Sequence, residues 1–335
     1  MATPRTAGGR RRNGGAHRAK PLDPEALRVI ALIREIGRPP LHTLSPQAAR
    51  EAYTGSRTVL QPEPPEVAEV EDLSCPGPAG PVRLRRYRGA GTEAGATLPC
   101  LLFMHGGGWV IGDLESHDQA CRTLANYARC CVVAVDYRLA PEHKFPTAVE
   151  DSAAALRFVA SEAAKLRVDP ARVAVGGDSA GGNIAAALAL MGRDGTVPAP
   201  GFQLLLYPAV DLGGTRPAHQ RFTDGYPLVT VTMRWFIDHY LADPSQVRDW
   251  RASPLRAPSL EGAPPAYIMT AGHDPLVDEG IAYARRLEEE NVRVTHVHMT
   301  DQMHGFLTMG RFISASDLAL RQAAAALVHH WSREG

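Results

Sequence analysis

Gly177-Asp178-Ser179-Ala180-Gly181 is the only G-x-S-x-G in this chain of 335 residues. It follows the strand-like run Val173-Ala174-Val175 and precedes a helical pattern from Asn183 to Met191. A serine between a strand and a helix sits on a sharp, strained turn, where a side chain at either flanking glycine would clash. The hydroxyl is thereby raised above a sheet, and the start of the helix offers N–H groups and a favourable dipole for an anion. This one pentapeptide commits the chain to a strand–turn–helix unit in an α/β sheet with chemistry at the carboxyl ends of its strands.

The rest of the chain has the rhythm that such a sheet needs. Strands are expected near Val67–Leu73, Val82–Tyr87, Pro99–Met104, Cys131–Asp136, Val173–Gly176, Phe202–Tyr207, Ala266–Ala271 and Val294–Met299. Helical patterns fall at Asp118–Tyr127, Ala148–Leu166, Gly182–Met191, Asp278–Glu290 and Ala315–Trp331. Two β-rich runs followed by strand–helix alternation imply an eight-stranded, mostly parallel α/β sheet flanked by helices, with its first strands antiparallel. Ahead of it, Asp23-Pro24-Glu25 opens a helix in which Leu27, Ile30, Leu32, Ile33 and Ile36 recur at helical spacing, and Gly37 ends it. A second short helix is expected from Ser45 to Tyr53. The alternation is interrupted between the sixth and seventh strands, where Asp211 to Pro265 include a helix near Val231–Leu241 with Trp235, Phe236 and Tyr240 on it. An excursion beside the strand ends reads as a lid. The expected divisions are a basic tail over 1–20, cap segments over 21–61 and 211–250, and core over 62–210 and 251–335.

Other residues supply what a serine nucleophile needs. His105-Gly106-Gly107-Gly108-Trp109 follows the third strand, and its glycines expose adjacent backbone N–H groups to an oxyanion. No Lys-Ser/Thr follows, which excludes a phosphate-binding P-loop. Gly107, Gly108 and Ala180 are the expected oxyanion-hole donors. A serine hydroxyl needs a base, and His304, in the loop after the eighth strand, is the imidazole placed to serve. His296 and His298 share one face of that strand, where packing or solvation is expected, and a metal site built from them with His304 lacks supporting carboxylates. Asp274 follows the seventh strand directly and is favoured as the acid. Asp278 and Glu279 open the next helix, and Asp278 is expected to anchor the loop presenting His304. Ser, then Asp, then His after the fifth, seventh and eighth strands is the α/β-hydrolase order. The chemistry needs no metal or organic cofactor.

Composition narrows the partners. Lys plus Arg and Asp plus Glu both number 36, so the net charge is zero and nothing favours nucleic acid or an anionic membrane. No run approaches the ~18 apolar residues that span a bilayer. Arg10-Arg11-Arg12 is followed by polar residues rather than the apolar stretch of a signal peptide. Five cysteines without paired spacing fit reduced thiols and a cytoplasmic location.

These motifs together resemble the bacterial hormone-sensitive-lipase-like esterases, the α/β hydrolases with a GDSAG elbow. The resemblance rests on His105-Gly106-Gly107-Gly108, on the elbow, on Asp274-Pro275-Leu276 and on His304-Gly305-Phe306. It extends to Asp136-Tyr137-Arg138-Leu139-Ala140-Pro141-Glu142, whose residues it implies are braces for the elbow rather than catalysts. The resemblance implies a serine carboxylesterase acting on short- to medium-chain acyl esters of small molecules under a two-part helical cap. It places His105, Gly106 and Asp178 in support of the site. It also implies a pocket lined by Trp109, Tyr207, Trp235, Phe236 and Phe306. A homodimer is the expected assembly. Relatives with tryptophan at position 109 include formamidases, so an aryl formamidase or acylamidase using the same triad is the alternative. A non-catalytic ligand receptor is the reading of another class, and the presence of His304 counts against it.

Overall fold

A computed structural model describes residues 20–333, so the expected basic tail lies outside the described residues except for Lys20. Eight strands form one sheet: β1 (Glu69–Gly77), β2 (Gly80–Arg88), β3 (Leu98–Met104), β4 (Cys131–Asp136), β5 (Val168–Asp178), β6 (Phe202–Leu206), β7 (Ala266–His273) and β8 (Val294–Met303). Their spatial order is β1-β2-β4-β3-β5-β6-β7-β8. The pairs β1/β2 and β2/β4 are antiparallel, and every other pair is parallel.

Central strands read as continuous apolar runs because helices cover both faces. Alternation sorts their side chains between two core layers. Cys100, Leu102 and Met104 of β3 face one layer with Val133, Val175 and Leu205. Leu101 and Phe103 face the other with Val132, Ala174 and Leu204. Among the described residues ten α-helices accompany the sheet: α1 (Pro24–Ile36), α2 (Pro46–Leu60), α3 (Leu114–Ala128), α4 (Thr147–Ser161), α5 (Ala163–Leu166), α6 (Ala180–Arg193), α7 (Pro217–Arg221), α8 (Thr230–Tyr240), α9 (Val277–Glu289) and α10 (Ala315–Trp331). The first layer is closed by α4, α6 and α9 through residues such as Leu156, Ile184 and Leu287. The second is closed by α1, α3 and α10 through Val29, Leu124 and Leu320.

Several boundaries differ from expectation for local reasons. Asp113 caps α3 by accepting from Ser116 N, so that helix starts four residues before Asp118. The run expected as one helix to Leu166 breaks at Glu162 into α4 and α5. In α1, Asp23 Oδ1 accepts from the N–H groups of Glu25 and Ala26, and Gly37 closes the helix at φ 68°. The buried face of α1 is Ala26, Val29 and Ile30, while Leu27 and Ile36 remain about half exposed. The face expected from the larger side chains is met only in part: Ile30 turns inward as expected, Ala26 and Val29 join it, and Leu27 and Ile36 do not.

Two helical segments meet above the strand ends. His42, in a 3₁₀ turn after α1, bonds through Nδ1 to Thr232 Oγ1 of α8 at 2.8 Å. Arg50 of α2 ties the first segment to the core, donating to the carbonyls of Val110 and Ala140. Among the described residues no helix is long and apolar enough to cross a membrane. All five cysteines are buried and free of disulfides.

Candidate active site

Ser179 lies between β5 and α6 with φ 55° and ψ −116°, a left-handed region that a non-glycine residue enters only when its surroundings hold it there. Those surroundings are specific. Ser179 N donates to Leu206 O at 2.9 Å, and Ser179 O accepts from the N–H groups of Asn183 and Ala209. Asn183 Nδ2 donates in turn to the carbonyls of Ala209 and Ala252, at 2.8 Å each. A Cβ on Gly181 would come within 1.9 Å of Met104 O, so glycine is needed for the elbow to pack on β3.

The loops after β7 and β8 bring two more groups to this point. His304 Nε2 is 2.9 Å from Ser179 Oγ, and His304 Nδ1 is 2.7 Å from Asp274 Oδ2. Asp274 is fully buried, and its other oxygen accepts from Leu276 N at 2.8 Å. The Tyr207 ring packs 4.8 Å from the imidazole of His304, and Phe306 backs Tyr207 at 5.9 Å.

On the opposite side, the chain after β3 turns through Gly107 and Gly108 at φ 122° and 57°. A Cβ on Gly108 would meet the Phe236 ring at 2.2 Å. The backbone N–H groups of Gly107, Gly108 and Ala180 have no hydrogen-bond partner among the described residues, and all three residues line the same cavity as Ser179. Gly106 N donates to Asp178 Oδ1 at 2.8 Å, which fixes this turn to the elbow. Burial would raise the Asp178 carboxyl, but the facing His117, 3.1 Å away, and the Gly106 N–H outweigh it and hold the group below its usual range. His105 stacks on Tyr137 at 4.3 Å, and Tyr137 Oη donates to His105 O. Burial, reinforced by the neighbouring His117, pushes the His105 pKa down to about 4. Tyr137 therefore braces the glycine turn, while Arg138 is paired with the buried Asp151 and Glu142 with Arg50.

The cavity at Ser179 has a volume of about 120 Å³ and is mostly apolar. Trp109 and Phe236 line it, with Trp109 stacked 4.2 Å from Tyr240. Tyr207, Trp235 and Phe306 are not on its walls. Tyr207 and Phe306 are consumed in packing behind His304, and Trp235 packs on Phe236 and His239. Asp278 also departs from expectation. Its Oδ2 accepts from Ala218 N at 2.7 Å and its Oδ1 faces Arg221, so it ties α7 to α9 rather than anchoring the His304 loop.

Glu279, one residue on, is the group that the sequence did not single out. It is buried on the cavity wall, and its Oε1 accepts from the N–H groups of Val210 and Asp211 at 2.7 and 3.2 Å. Burial pushes its pKa up to about 8, against the two N–H groups that favour the charged form. His117 and Asn183 were equally invisible, because each acts through contacts that only the fold creates. His296 and His298 both bond to Thr270 Oγ1 at 2.9 Å, and among the described residues no cluster of His, Cys, Asp and Glu is arranged to hold a metal ion.

This geometry can be set beside known proteins. Residues 101–308 match a family described as having the alpha/beta hydrolase fold. Carboxylic ester hydrolase LipN of Mycobacterium tuberculosis is 39% identical over 318 residues, covering 93% of this chain and 84% of that protein. The chain is a hormone-sensitive-lipase-like esterase. This esterase is also similar to ethyl acetate hydrolase of Pseudomonas putida, at 37% identity over 92% of this chain and 99% of the relative. Its backbone matches that of an ester hydrolase from the metagenome of Lake Arreo, crystallised with a bipyridine phosphonate derivative. The TM-score is 0.90, with 43% identity over 93% of this chain and 99% of the other. The hormone-sensitive-lipase-like esterase described here is a serine carboxylesterase.

Proposed function

We propose that Ser179 is the nucleophile of this carboxylesterase, His304 its general base and Asp274 the acid that orients the imidazole. The observation that carries the assignment is the unbroken relay Ser179–His304–Asp274, at 2.9 and 2.7 Å, opening on a cavity. His304 Nε2 takes the proton of Ser179 Oγ as the oxygen attacks the ester carbonyl. The N–H groups of Gly107, Gly108 and Ala180 receive the oxyanion, each worth about 3–4 kcal/mol of transition-state stabilisation. His304 then passes its proton to the departing alcohol oxygen, leaving the acyl group on Ser179. A water, deprotonated by the same imidazole, attacks that acyl carbon and frees the acid.

The substrates we propose are short- to medium-chain acyl esters of small molecules, which the small apolar cavity supports. Residues 21–61 and 211–250 are read as the two parts of a cap, since Leu41, Tyr53, Met233 and Phe236 from these segments line the cavity. Five buried thiols without disulfides favour a reducing, cytoplasmic setting. The edge strand β8 and the half-exposed Leu318 and Val328 of α10 favour a homodimer.

The deciding experiment pairs covalent labelling with turnover. Ser179→Ala is expected to abolish labelling by an organophosphate and to lower ester turnover by at least ~10³-fold. Asp274→Asn should lower turnover by roughly 10³–10⁴-fold through the wrong imidazole tautomer, with Asp278→Asn within a few fold of wild type. Labelling that persists in Ser179→Ala, or the reverse ranking of the two aspartates, sinks the assignment.

A further inference from the structure

A second cavity lies beside the one at Ser179 and is several times larger, about 560 Å³ against about 120 Å³. Its walls come from α1, α2, the loop before α8 and the first turn of α8. The two cavities share Leu41, Tyr53, Pro227 and Met309, so one set of side chains stands between them.

Size separates their roles. Pockets that hold a drug-sized ligand run from ~300 to ~1,000 Å³. The inner cavity falls below that range and suits a small acyl or alkyl group, whereas the outer one falls inside it. Exposure points the same way. Ile36, Val59 and Val231 line the outer cavity at 50%, 39% and 46% exposure, three of the eight large hydrophobic residues left exposed among the described residues. Apolar side chains gathered on one concave surface mark a binding site, whereas scattered ones do not. Polar side chains also reach its walls, among them Arg34, His42, Asp224 and Arg38, the last held by Ala52 O, but the exposed wall surface is mainly apolar. Adjacency across these shared side chains makes an arm of the substrate, rather than a separate ligand, the fitting occupant.

We propose that this enzyme is built for asymmetric esters. The small arm sits at Ser179, and an extended or bulky apolar arm passes between the shared side chains and lies in the outer cavity between α1, α2 and α8. This rests on the ester chemistry assigned to Ser179 and names the substrate class for it. The alcohol or acid released by hydrolysis is therefore a hydrophobic molecule of roughly drug size.

The test compares ethyl acetate, which fits the inner cavity alone, with decyl acetate and methyl decanoate in a pH-stat assay below their solubility limits. One of the two long esters should exceed ethyl acetate in kcat/KM by at least tenfold, since each methylene buried is worth roughly fourfold. Filling the outer cavity with Val59→Trp and Val231→Trp together should remove at least tenfold of that advantage, through KM, and leave ethyl acetate within twofold. Retained ethyl acetate turnover shows that the variant is folded; if it is lost, Ile36→Trp replaces the pair. No long-arm preference in wild type, or long-ester kinetics unchanged by the filled cavity, overturns the proposal. A filled variant that sediments at half the wild-type mass with its long-ester kinetics intact assigns the surface to a second copy of the chain, which also overturns it. Ethyl acetate hydrolysis that survives Ser179→Ala marks a failure of the underlying assignment instead.

Discussion

Glu279 sits in the first turn of α9 with one carboxyl oxygen beneath the N–H groups of Val210 and Asp211. Burial lifts its pKa from 4.5 to about 8, the nearby Asp211 adding to the rise and Arg216 opposing it. Between those two values the folded chain keeps a proton that the unfolded chain has released. Stability contributed by this group therefore falls as pH rises through the window from about 4.5 to 8, and levels off above it. Glu279→Gln, which cannot ionise, should match wild type near pH 5 and melt at a higher temperature than wild type at pH 9. Thermal denaturation of both proteins from pH 5 to 9 reads this directly, and parallel curves would rule the protonated carboxyl out. Ser179, Asp274 and His304 were legible in the sequence because each stands immediately beyond a strand. Glu279 was not, since Asp278-Glu279 at a helix start looks like ordinary capping until the fold buries Glu279 fully and leaves Asp278 part-buried against α7.

Arg138 and Asp151 link the segment after β4 to α4. Asp151 is fully buried and accepts three bonds from Arg138, while the arginine side chain keeps 28% of its surface in water. That asymmetry decides what each deletion does. Arg138→Ala leaves a carboxylate buried with only a backbone N–H for company, at about 3–5 kcal/mol. Asp151→Ala leaves a guanidinium that can turn to solvent and should cost less. Urea denaturation of the two variants gives the ranking, and equal losses would mean the carboxylate is not stranded. Elements were read correctly where an apolar period ran unbroken, as in β3, β4 and α10. They were misjudged where a single polar residue set the boundary, as Asp113 does for α3. The inward face of α1 was misjudged in part: leucine and isoleucine mark an apolar stripe, but Ala26 and Val29 join Ile30 in the core while Leu27 and Ile36 stay exposed.

Across the whole molecule, order is concentrated in the sheet. Residues 101–104 of β3 and 204–206 of β6 have no exposed surface, whereas much of the segment from 213 to 227 is exposed and outside any strand. Amide exchange should therefore proceed by local opening across 213–227 and only by global unfolding in β3 and β6. Hydrogen–deuterium exchange read by mass spectrometry would show the two regimes, and uniform protection would contradict them. Topology at this scale was legible, since strand–helix alternation leaves few ways to wind a parallel sheet. The cavities were not, because their walls join residues as distant as Leu41 and Met309, and because Tyr207 and Phe306 look like lining residues until they are seen behind His304. The placement of the five cysteines has a practical consequence. Every native thiol is buried; burial raises the pKa of Cys75 to about 11 and raises those of Cys121 and Cys130, while the hydrogen bond with Cys131, and then burial, raise that of Cys100. Maleimides should find almost nothing to alkylate on the folded protein. A cysteine engineered at exposed Leu318 would then be a unique attachment point for a dye or a solid support, with no native thiol to remove first.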